Sequence, residues 1–239
     1  MPNLTTFHGA DGCGKSTIAA ELALLEGEHG ETVSLGGSSY KEWLTPQIAK
    51  ETLGDDEIFR TEARTPAQKT RLYEAIAAAC YGYAHYLNES GVSVVIDSDP
   101  VIKRIVWTDL ELEDVEEKDR YARRFGSYLL DHLPASFMMG TVVGVNFDSA
   151  VSDHDIHDRL TQRGGNSEYD PQGVAEVRKI RESSAWVWAE LQRASTQTST
   201  VDVFNALYAT SDFVAIENPN CSDELIRVQA RMQAERIAG

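Results

Sequence analysis

The sequence predicts an α/β fold in three layers, with helices on both faces of a five-stranded parallel sheet. A short β-compatible segment, Leu4 to Phe7, is followed by a glycine-rich loop and then by an Ala/Leu/Glu-rich segment, Ser16 to about Glu28, that favours a helix. The segment from Val92 to Ile96 is almost entirely apolar, as is typical of a strand buried on both faces. Strand-like and helix-like segments alternate after it, which is the order of a parallel sheet with crossover helices.

The remaining elements are predicted from local signals in chain order. Thr65-Pro66 and Asp170-Pro171 each place a capping residue before a proline, which predicts the start of a helix. The acidic stretch from Asp109 to Asp119 indicates a solvated loop or helix face. The other predicted strands are Thr32 to Leu35, Thr141 to Phe147 and Thr200 to Phe204, and the predicted later helices run from Pro66 to Leu87, Tyr121 to Leu133, Pro171 to about Arg193 and Asp223 to Ile237.

Nothing in the sequence divides the chain into parts. We find no internal repeat, no low-complexity tract and no linker, and we therefore predict one domain over residues 1–239. The segment from about 152 to 170 is polar and dense in His, Asp, Arg and Gly. This composition predicts a mobile lid rather than a part of the core.

Composition limits the classes of function. Hydrophobic residues make up 42% of the chain, so a sizeable core is expected and wholesale disorder is not. The formal net charge of −16 repels phosphate backbones and anionic membranes, which argues against broad nucleic-acid binding. The three cysteines show no metal-ligand spacing, and we see no signal segment and no long apolar run. We expect a cytoplasmic protein without a membrane partner.

The loop after the first strand matches the phosphate-binding pattern G-x-x-x-x-G-K-[ST] at every fixed position. Its glycines let the backbone approach phosphate oxygens, and the helix that follows adds the positive end of its dipole. Lys15 is placed to bridge the β- and γ-phosphates, and Ser16 to offer its hydroxyl to Mg²⁺. We therefore predict a P-loop NTPase fold that uses ATP and Mg²⁺. The predicted nucleotide-binding residues are Gly9, Asp11, Gly12, Cys13, Gly14, Lys15, Ser16 and Thr17.

The segment from Phe7 to Thr17 resembles the phosphate loop of thymidylate kinases, E-G-x-D-G-x-G-K-[ST]-T, with His8 in place of the usual Glu. Other likenesses follow in the family's order: a P-G-G-T-like segment, a strand ending as in D-R-[YFH], and an Arg-bearing lid; here they are Gly36-Gly37-Ser38, Gly91 to Asp97 and Arg159 to Arg163. The resemblance implies a kinase for a small-molecule nucleoside or nucleotide acceptor. It also implies that Asp11 contacts the sugar hydroxyl of the acceptor. A further implication is a homodimer in which the long helix forms the interface.

Arginines that hold the acceptor's monophosphate in that family have no counterpart here. Val33-Ser34-Leu35 stands before the glycine pair, Ser98 follows Asp97, and the long helix has no arginine near Ile76. The acceptor is therefore expected to differ from thymidine monophosphate: a nucleoside, a modified nucleotide or another hydroxyl-bearing metabolite. Arg104 is a candidate substrate contact in place of the missing arginines. Lys103, Arg60 and Arg71 are further basic residues that could replace them.

Four side chains are assigned to catalysis. Lys15 and the loop amides neutralise phosphate charge. Asp97 follows a buried strand at the ligand-binding edge of the sheet, where it would hold Mg²⁺ through water or accept the proton of an acceptor hydroxyl. Asp99 is its rival for this work and a candidate substrate contact. Arg159 and Arg163 lie four residues apart and would share a helix face, from which a closed lid stabilises developing charge on the γ-phosphate.

Two other functions remain open. One is a kinase for a different small hydroxyl-bearing metabolite. The other is a nucleotide-binding regulator that hydrolyses slowly or not at all, which phosphoryl transfer to any small acceptor would exclude. A DNA-dependent ATPase is disfavoured by the net charge and by the lack of a basic groove signature.

Overall fold

The structure is a computed structural model that describes residues 2–10, 13–36, 43–54, 66–147, 151–162, 173–218, 231, 232, 234, 235 and 237. Within these residues five strands form one sheet, in which every pairing is parallel and the order is β2-β3-β1-β4-β5. The strands are β1 (Leu4–His8), β2 (Thr32–Leu35), β3 (Ser93–Ile96), β4 (Thr141–Phe147) and β5 (Asp212–Asn218). The parallel register brings the carboxyl ends of β1 and β3 side by side at one edge, with Thr6 opposite Ile96.

Helices connect the strands and cover the sheet. They are α1 (Lys15–Gly27), α2 (Pro46–Leu53), α3 (Pro66–Glu89), α4 (Pro100–Glu111), α5 (Val115–His132), α6 (Asp153–Gln162), α7 (Val174–Thr196) and α8 (Asp202–Leu207). Within the described part of the chain, no helix combines the length and the apolar character that a membrane span requires.

The strands alternate their side chains between two cores, one on each face of the sheet. In β1, Leu4 packs into the larger core with α3, α4, α5, α7 and α8, whereas Phe7 packs into the smaller core with α1. Val94 and Val95 of β3 divide between the two cores in the same way. This arrangement confirms the predicted three-layer α/β architecture with a five-stranded parallel sheet.

The predicted position of the fifth strand is wrong. Thr200 lies in the turn before α8, and the strand at the edge of the sheet is β5, which pairs with β4 from Thr141–Asp212 to Phe147–Asn218. The carboxylate of Glu190 on α7 accepts hydrogen bonds from the Ser199 hydroxyl and from the Thr200 amide and hydroxyl at 2.8–2.9 Å. These donors are therefore engaged by a helix side chain and not by a neighbouring strand.

The other boundaries differ from the predicted ones in ways that local chemistry explains. The helix α4 was not predicted, although Asp99-Pro100 carries the same cap-plus-proline signal as Thr65-Pro66. The acidic stretch after it contains the end of α4 and the start of α5, which Asp114 caps. Asp170-Pro171 lies outside the described residues, and α7 begins at Val174. Most of the predicted closing helix also lies outside them.

We expect Gly144→Ala to destabilise the sheet where α7 crosses β4. A Cβ atom at Gly144 would lie 2.7–2.8 Å from three ring carbons of Trp188, a rigid and buried side chain. Overpacking of this kind costs about 1–3 kcal/mol of unfolding free energy, to be measured by chemical denaturation. Gly30→Ala is the matched control, since nothing lies within 4 Å of its added Cβ. Equal stabilities of the two variants would contradict this account of the packing.

Candidate active site

The glycine-rich loop joins the carboxyl end of β1 to the amino end of α1. Gly9 has a φ of +152°, and a Cβ there would lie 2.1 Å from the carbonyl oxygen of Val145 on β4. Gly14, the residue before α1, is left-handed with φ +92°. Both positions therefore require glycine, which explains two fixed residues of the motif. Asp11 and Gly12 lie outside the described residues.

The side chains of the loop divide into buried and accessible ones. Lys15 is buried, and its ammonium group donates a hydrogen bond to the carbonyl oxygen of Ala10 at 2.9 Å. The amide of Cys13 donates to the same oxygen at 3.3 Å, and the Cys13 thiol is buried beside Gly9. Ser16 is exposed at the first turn of α1, and Thr17 is partly buried. The Lys15 side chain thus bonds back to the backbone of the loop at Ala10, whereas Ser16 is exposed to solvent.

His8 is the last residue of β1 and directly precedes the glycine-rich loop. It is buried, stacks on Trp188 with ring centroids 6.4 Å apart, and its Nε2 lies 3.1 Å from the carbonyl oxygen of Ser184, to which the neutral ring donates. Burial lowers the pKa of His8 to about 4; the hydrogen bond to Ser184 opposes this shift and nearby Lys15 adds to it. The imidazole is therefore neutral at physiological pH and adds no charge beside Lys15.

Asp97 follows β3 and reaches the same sheet edge as the loop. Its amide donates to the carbonyl oxygen of Leu35 at 3.0 Å, which fixes the backbone. Its Oδ1 is buried and has no hydrogen-bond partner among the described residues. A buried carboxylate oxygen in this state fits Mg²⁺, an oxygen-seeking cation that commonly takes one or two carboxylates and substrate phosphates as ligands. Ser16 and Asp97 are thus suitable residues to hold the ion.

Asp99 lies at the centre of a buried hydrogen-bond network. Its carboxylate accepts from the amides of Val101 and Ile102 at 2.9 Å, capping α4. The network also includes three hydroxyl donors: Thr6 at 2.9 Å, Tyr81 at 2.6–2.7 Å and Tyr208 at 3.1–3.2 Å. The two tyrosine hydroxyls also contact each other, and because each has a single proton, a hydrogen bond between them would be made in place of one to Asp99.

The structure gives Asp99 a positioning role, whereas its predicted role as a substrate contact stays a prediction. Asp99 is 1% exposed, and five donors already occupy its two oxygens. Burial raises the pKa of Asp99, and hydrogen bonds from Ile102, Tyr81, Thr6 and Tyr208 oppose that rise. The network joins β1, α3, α4 and the residue that follows α8, and so holds the backbone on which Asp97 sits.

Arg104 is engaged between helices. Its Nε donates to the Tyr121 hydroxyl at 2.7 Å, and the guanidinium lies 5.0 Å from the ring centroid of Tyr121 and 5.7 Å from that of Tyr73. The side chain is 12% exposed and also pairs with Glu111 at 3.4 Å. Arg104 thus packs α4 against α3 and α5. Its assignment to the acceptor remains a prediction.

Lys103, the residue before Arg104, faces the loop instead. It lines a small cavity together with Gly9, Lys15 and Ser184. From the sequence, Lys103 is only one of several substitutes for the missing arginines and is not assigned to the site. Asp99 and Lys103 lie four residues apart at the start of a capped helix, and that spacing is the signal that would have placed it there.

The predicted lid begins as a helix. Asp153 on α6 pairs with Arg178 at 3.0 Å and Arg181 at 2.7 Å, both on α7. Arg181 also donates to the carbonyl oxygen of Val151 at 3.1 Å, so α6 is anchored at its first turn. Residue 159 lies on α6, but the side chain of Arg159 and the whole of Arg163 are outside the described residues.

The fold is shared with solved structures of known kinases. The chain aligns with deoxyadenosine kinase from M. mycoides with bound dATP at a TM-score of 0.55 and 14% identity, over 98% of this chain and 99% of that one. The same enzyme with bound dCTP gives a TM-score of 0.53 and 13% identity, over 97% and 98% of the two chains. No protein-family model matches the chain, and no curated protein matches its sequence. The likeness shows a shared α/β fold and does not single out thymidylate kinases.

We expect acid to destabilise the protein through His8. Its pKa is about 4 in the folded chain and takes the ordinary histidine value of 6.5 in the unfolded chain, which therefore binds the proton first as pH falls. The contribution of His8 to the free energy of unfolding is complete above pH 6.5 and is lost towards pH 4, a change of about 3 kcal/mol. Denaturation of His8→Gln across this range should show a flatter pH profile.

The control for this pH effect is His29→Gln, at an exposed histidine. It should keep the steep profile of the wild-type protein. A wild-type slope that persists in His8→Gln would show that other groups cause the acid sensitivity.

We also expect Asp99→Ala to cost about 3 kcal/mol of unfolding free energy, because it leaves five buried donors without their acceptor. Asp114→Ala is the matched control: Asp114 caps α5 through the amide of Glu117 at an exposed site, and its loss should cost about 1 kcal/mol. Urea denaturation of both variants measures the difference. Equal losses would mean that the buried network adds nothing to the cap.

Proposed function

We propose that the protein is a P-loop kinase that transfers the γ-phosphoryl group of ATP to a hydroxyl group of a nucleoside or nucleotide. The observation that carries the proposal is the glycine loop with buried Lys15 at the end of β1, beside the end of the paired strand β3. There a buried carboxylate oxygen of Asp97 has no hydrogen-bond partner within the described ranges. Phosphoryl transfer requires charge neutralisation and in-line placement of the reacting groups. The two strand ends bring together a cation, Lys15, and a carboxylate, Asp97, that suit these requirements.

In this proposal the loop and α1 hold the triphosphate. The loop amides and the dipole of α1 would bind the phosphates, and Lys15 would exchange its bond to Ala10 for phosphate oxygens. Ser16 would hold Mg²⁺ directly and Asp97 would hold it through water, and the ion would supply positive charge to the bound phosphates. The buried, neutral His8 keeps the base of the loop rigid without adding charge.

The transfer step is a displacement at the γ-phosphorus. A bond forms between the acceptor oxygen and phosphorus, the bond from phosphorus to the β–γ bridging oxygen breaks, and ADP leaves with that electron pair. The acceptor's hydroxyl proton passes to the carboxylate of Asp97, whose oxygens a water-mediated contact to the ion leaves able to accept it. Arg159 and Arg163 of the lid are the proposed cations that close over the γ-phosphate, and Asp11 is the proposed contact to the acceptor's sugar.

Two lines of support favour a nucleoside as the acceptor over a thymidine monophosphate. The arginines that grip a monophosphate in thymidylate kinases are missing from the sequence, and Arg104 is occupied by Tyr121. Two solved structures that share the fold are of a deoxyadenosine kinase. An acceptor that carries no phosphate of its own has no need of such arginines.

We predict that Lys15→Ala lowers phosphoryl transfer by about 10²-fold or more, because Lys15 places charge on the transferring group. The assay incubates the protein with Mg·ATP and a pooled panel of nucleosides, nucleoside monophosphates and their modified forms, and detects a gain of one phosphoryl group by mass spectrometry. Lys179→Ala, at an exposed lysine of α7, is the control and should keep full activity.

The same assay separates the competing functions. Transfer to a panel nucleoside supports the proposal directly. Bound ATP with no transfer to any acceptor would favour a nucleotide-binding regulator. Wild-type turnover by Lys15→Ala would show that the loop is assigned wrongly.

A further inference from the structure

A small cavity of about 30 Å³ lies between the glycine loop, the first turns of α4 and the middle of α7. Gly9 and Lys15 form its loop side, Lys103 and Trp107 come from α4, and Ser184 from α7. A volume of this size holds about one or two oxygen-sized groups and excludes a nucleobase or a sugar. A group that enters this cavity is therefore a small ion or the terminal atoms of a larger molecule.

The charges around this cavity are unbalanced. Lys15 and Lys103 supply two ammonium groups. His8, which also lines the cavity, is neutral and donates to Ser184. Asp99 is the carboxylate at the cavity wall, and its oxygens are occupied by the five donors of the buried network. Among the described residues, Lys103 makes no ion pair and its ammonium no hydrogen bond.

Lys103 is a cation at the end of a helix that favours negative charge. Its backbone amide donates to the carbonyl oxygen of Asp99 at 2.9 Å, which places Lys103 at the start of α4. The positive end of the helix dipole lies there, so a cation at this site is disfavoured. A second lysine at the same cavity adds like-charge repulsion. An anion bound in the cavity would be attracted by the positive end of the helix dipole and by both lysines.

We infer that Lys103 and Lys15 together form a binding site for a phosphoryl oxygen in this cavity, so that Lys103 is a further substrate-contacting residue that the motif does not reveal. The inference rests on the proposed function for its choice of ligand. A phosphoryl oxygen has the size and the charge that the cavity requires. It has two sources in the reaction: the γ-phosphoryl group of the donor, or the phosphate of a nucleotide acceptor.

The first experiment measures binding of Mg·tripolyphosphate, which has no base or sugar, by titration calorimetry. Lys103→Met should weaken binding about tenfold if the donor's γ-phosphate occupies the cavity, and Lys103→Arg should restore most of the affinity. Lys118→Met is the control: it removes one charge from the pair of Lys118 with Asp109, 2.7 Å apart on another surface. Its affinity should equal that of the wild-type protein.

The second experiment measures transfer kinetics with nucleosides and with nucleoside monophosphates from the panel. If the acceptor's phosphate occupies the cavity, Lys103→Met raises the KM of the monophosphate about tenfold while tripolyphosphate affinity and the KM of ATP are unchanged. Unchanged tripolyphosphate binding together with unchanged kinetics for both acceptors would overturn the inference.

Thermal unfolding separates an anion site from a purely structural role of Lys103. A cation that is disfavoured in the folded chain predicts that Lys103→Met unfolds at an unchanged or higher temperature, whereas a structural role predicts a lower one. If the wild-type protein phosphorylates no acceptor but Lys103→Met still loses tripolyphosphate affinity, the proposed function fails and the anion site stands. If the wild-type protein phosphorylates an acceptor but Lys103→Met changes neither tripolyphosphate affinity nor transfer kinetics, the proposed function stands and the anion site fails.

Discussion

The buried carboxylate of Asp99 is the interaction on which the geometry of the site depends. Through five donors it joins the end of β1 at Thr6, the middle of α3 at Tyr81, the first turn of α4 and Tyr208 ahead of β5. Its own amide donates to the carbonyl oxygen of Phe7 at 2.9 Å. The strand end that carries Asp97 and the strand end that carries the loop are thereby fixed to each other.

Burial at this junction also decides which groups carry charge. His8 and Asp99 are both removed from water, and in each case burial favours the uncharged form: it lowers the pKa of His8 and raises that of Asp99. The two cases differ in their partners. His8 meets a carbonyl oxygen that accepts from the neutral ring, whereas Asp99 meets donors that favour the carboxylate. Because the His8 ring is neutral, it adds no positive charge beside Lys15, the cation of the phosphate-binding motif.

Features that depend on adjacent residues were predictable from the sequence, and features that join distant residues were not. The loop, the strand Val92 to Ile96 and the layer order follow from local patterns. The stretch from Thr200 was wrongly predicted as a strand because its apolar residues also fit helical spacing: Val203, Phe204, Leu207 and Tyr208 are buried on α8 and just after it, while Glu190 binds the preceding donors. The contact of Tyr208 with Asp99 spans 109 residues, and no local pattern indicates it.

The chain carries a net charge of −16, whereas Lys15 and Lys103 place two ammonium groups beside the glycine loop, and this contrast constrains how an anion is recognised. A net charge of −16 repels a triphosphate at long range, but salt screens such repulsion beyond about 8 Å. Attraction must therefore come from groups within a few ångströms of the phosphates. Buried donors fit this requirement, because a low local dielectric strengthens their fields at short range. Lys15, the loop amides and Lys103 are placed for such short-range recognition, whereas an exposed basic surface is not needed.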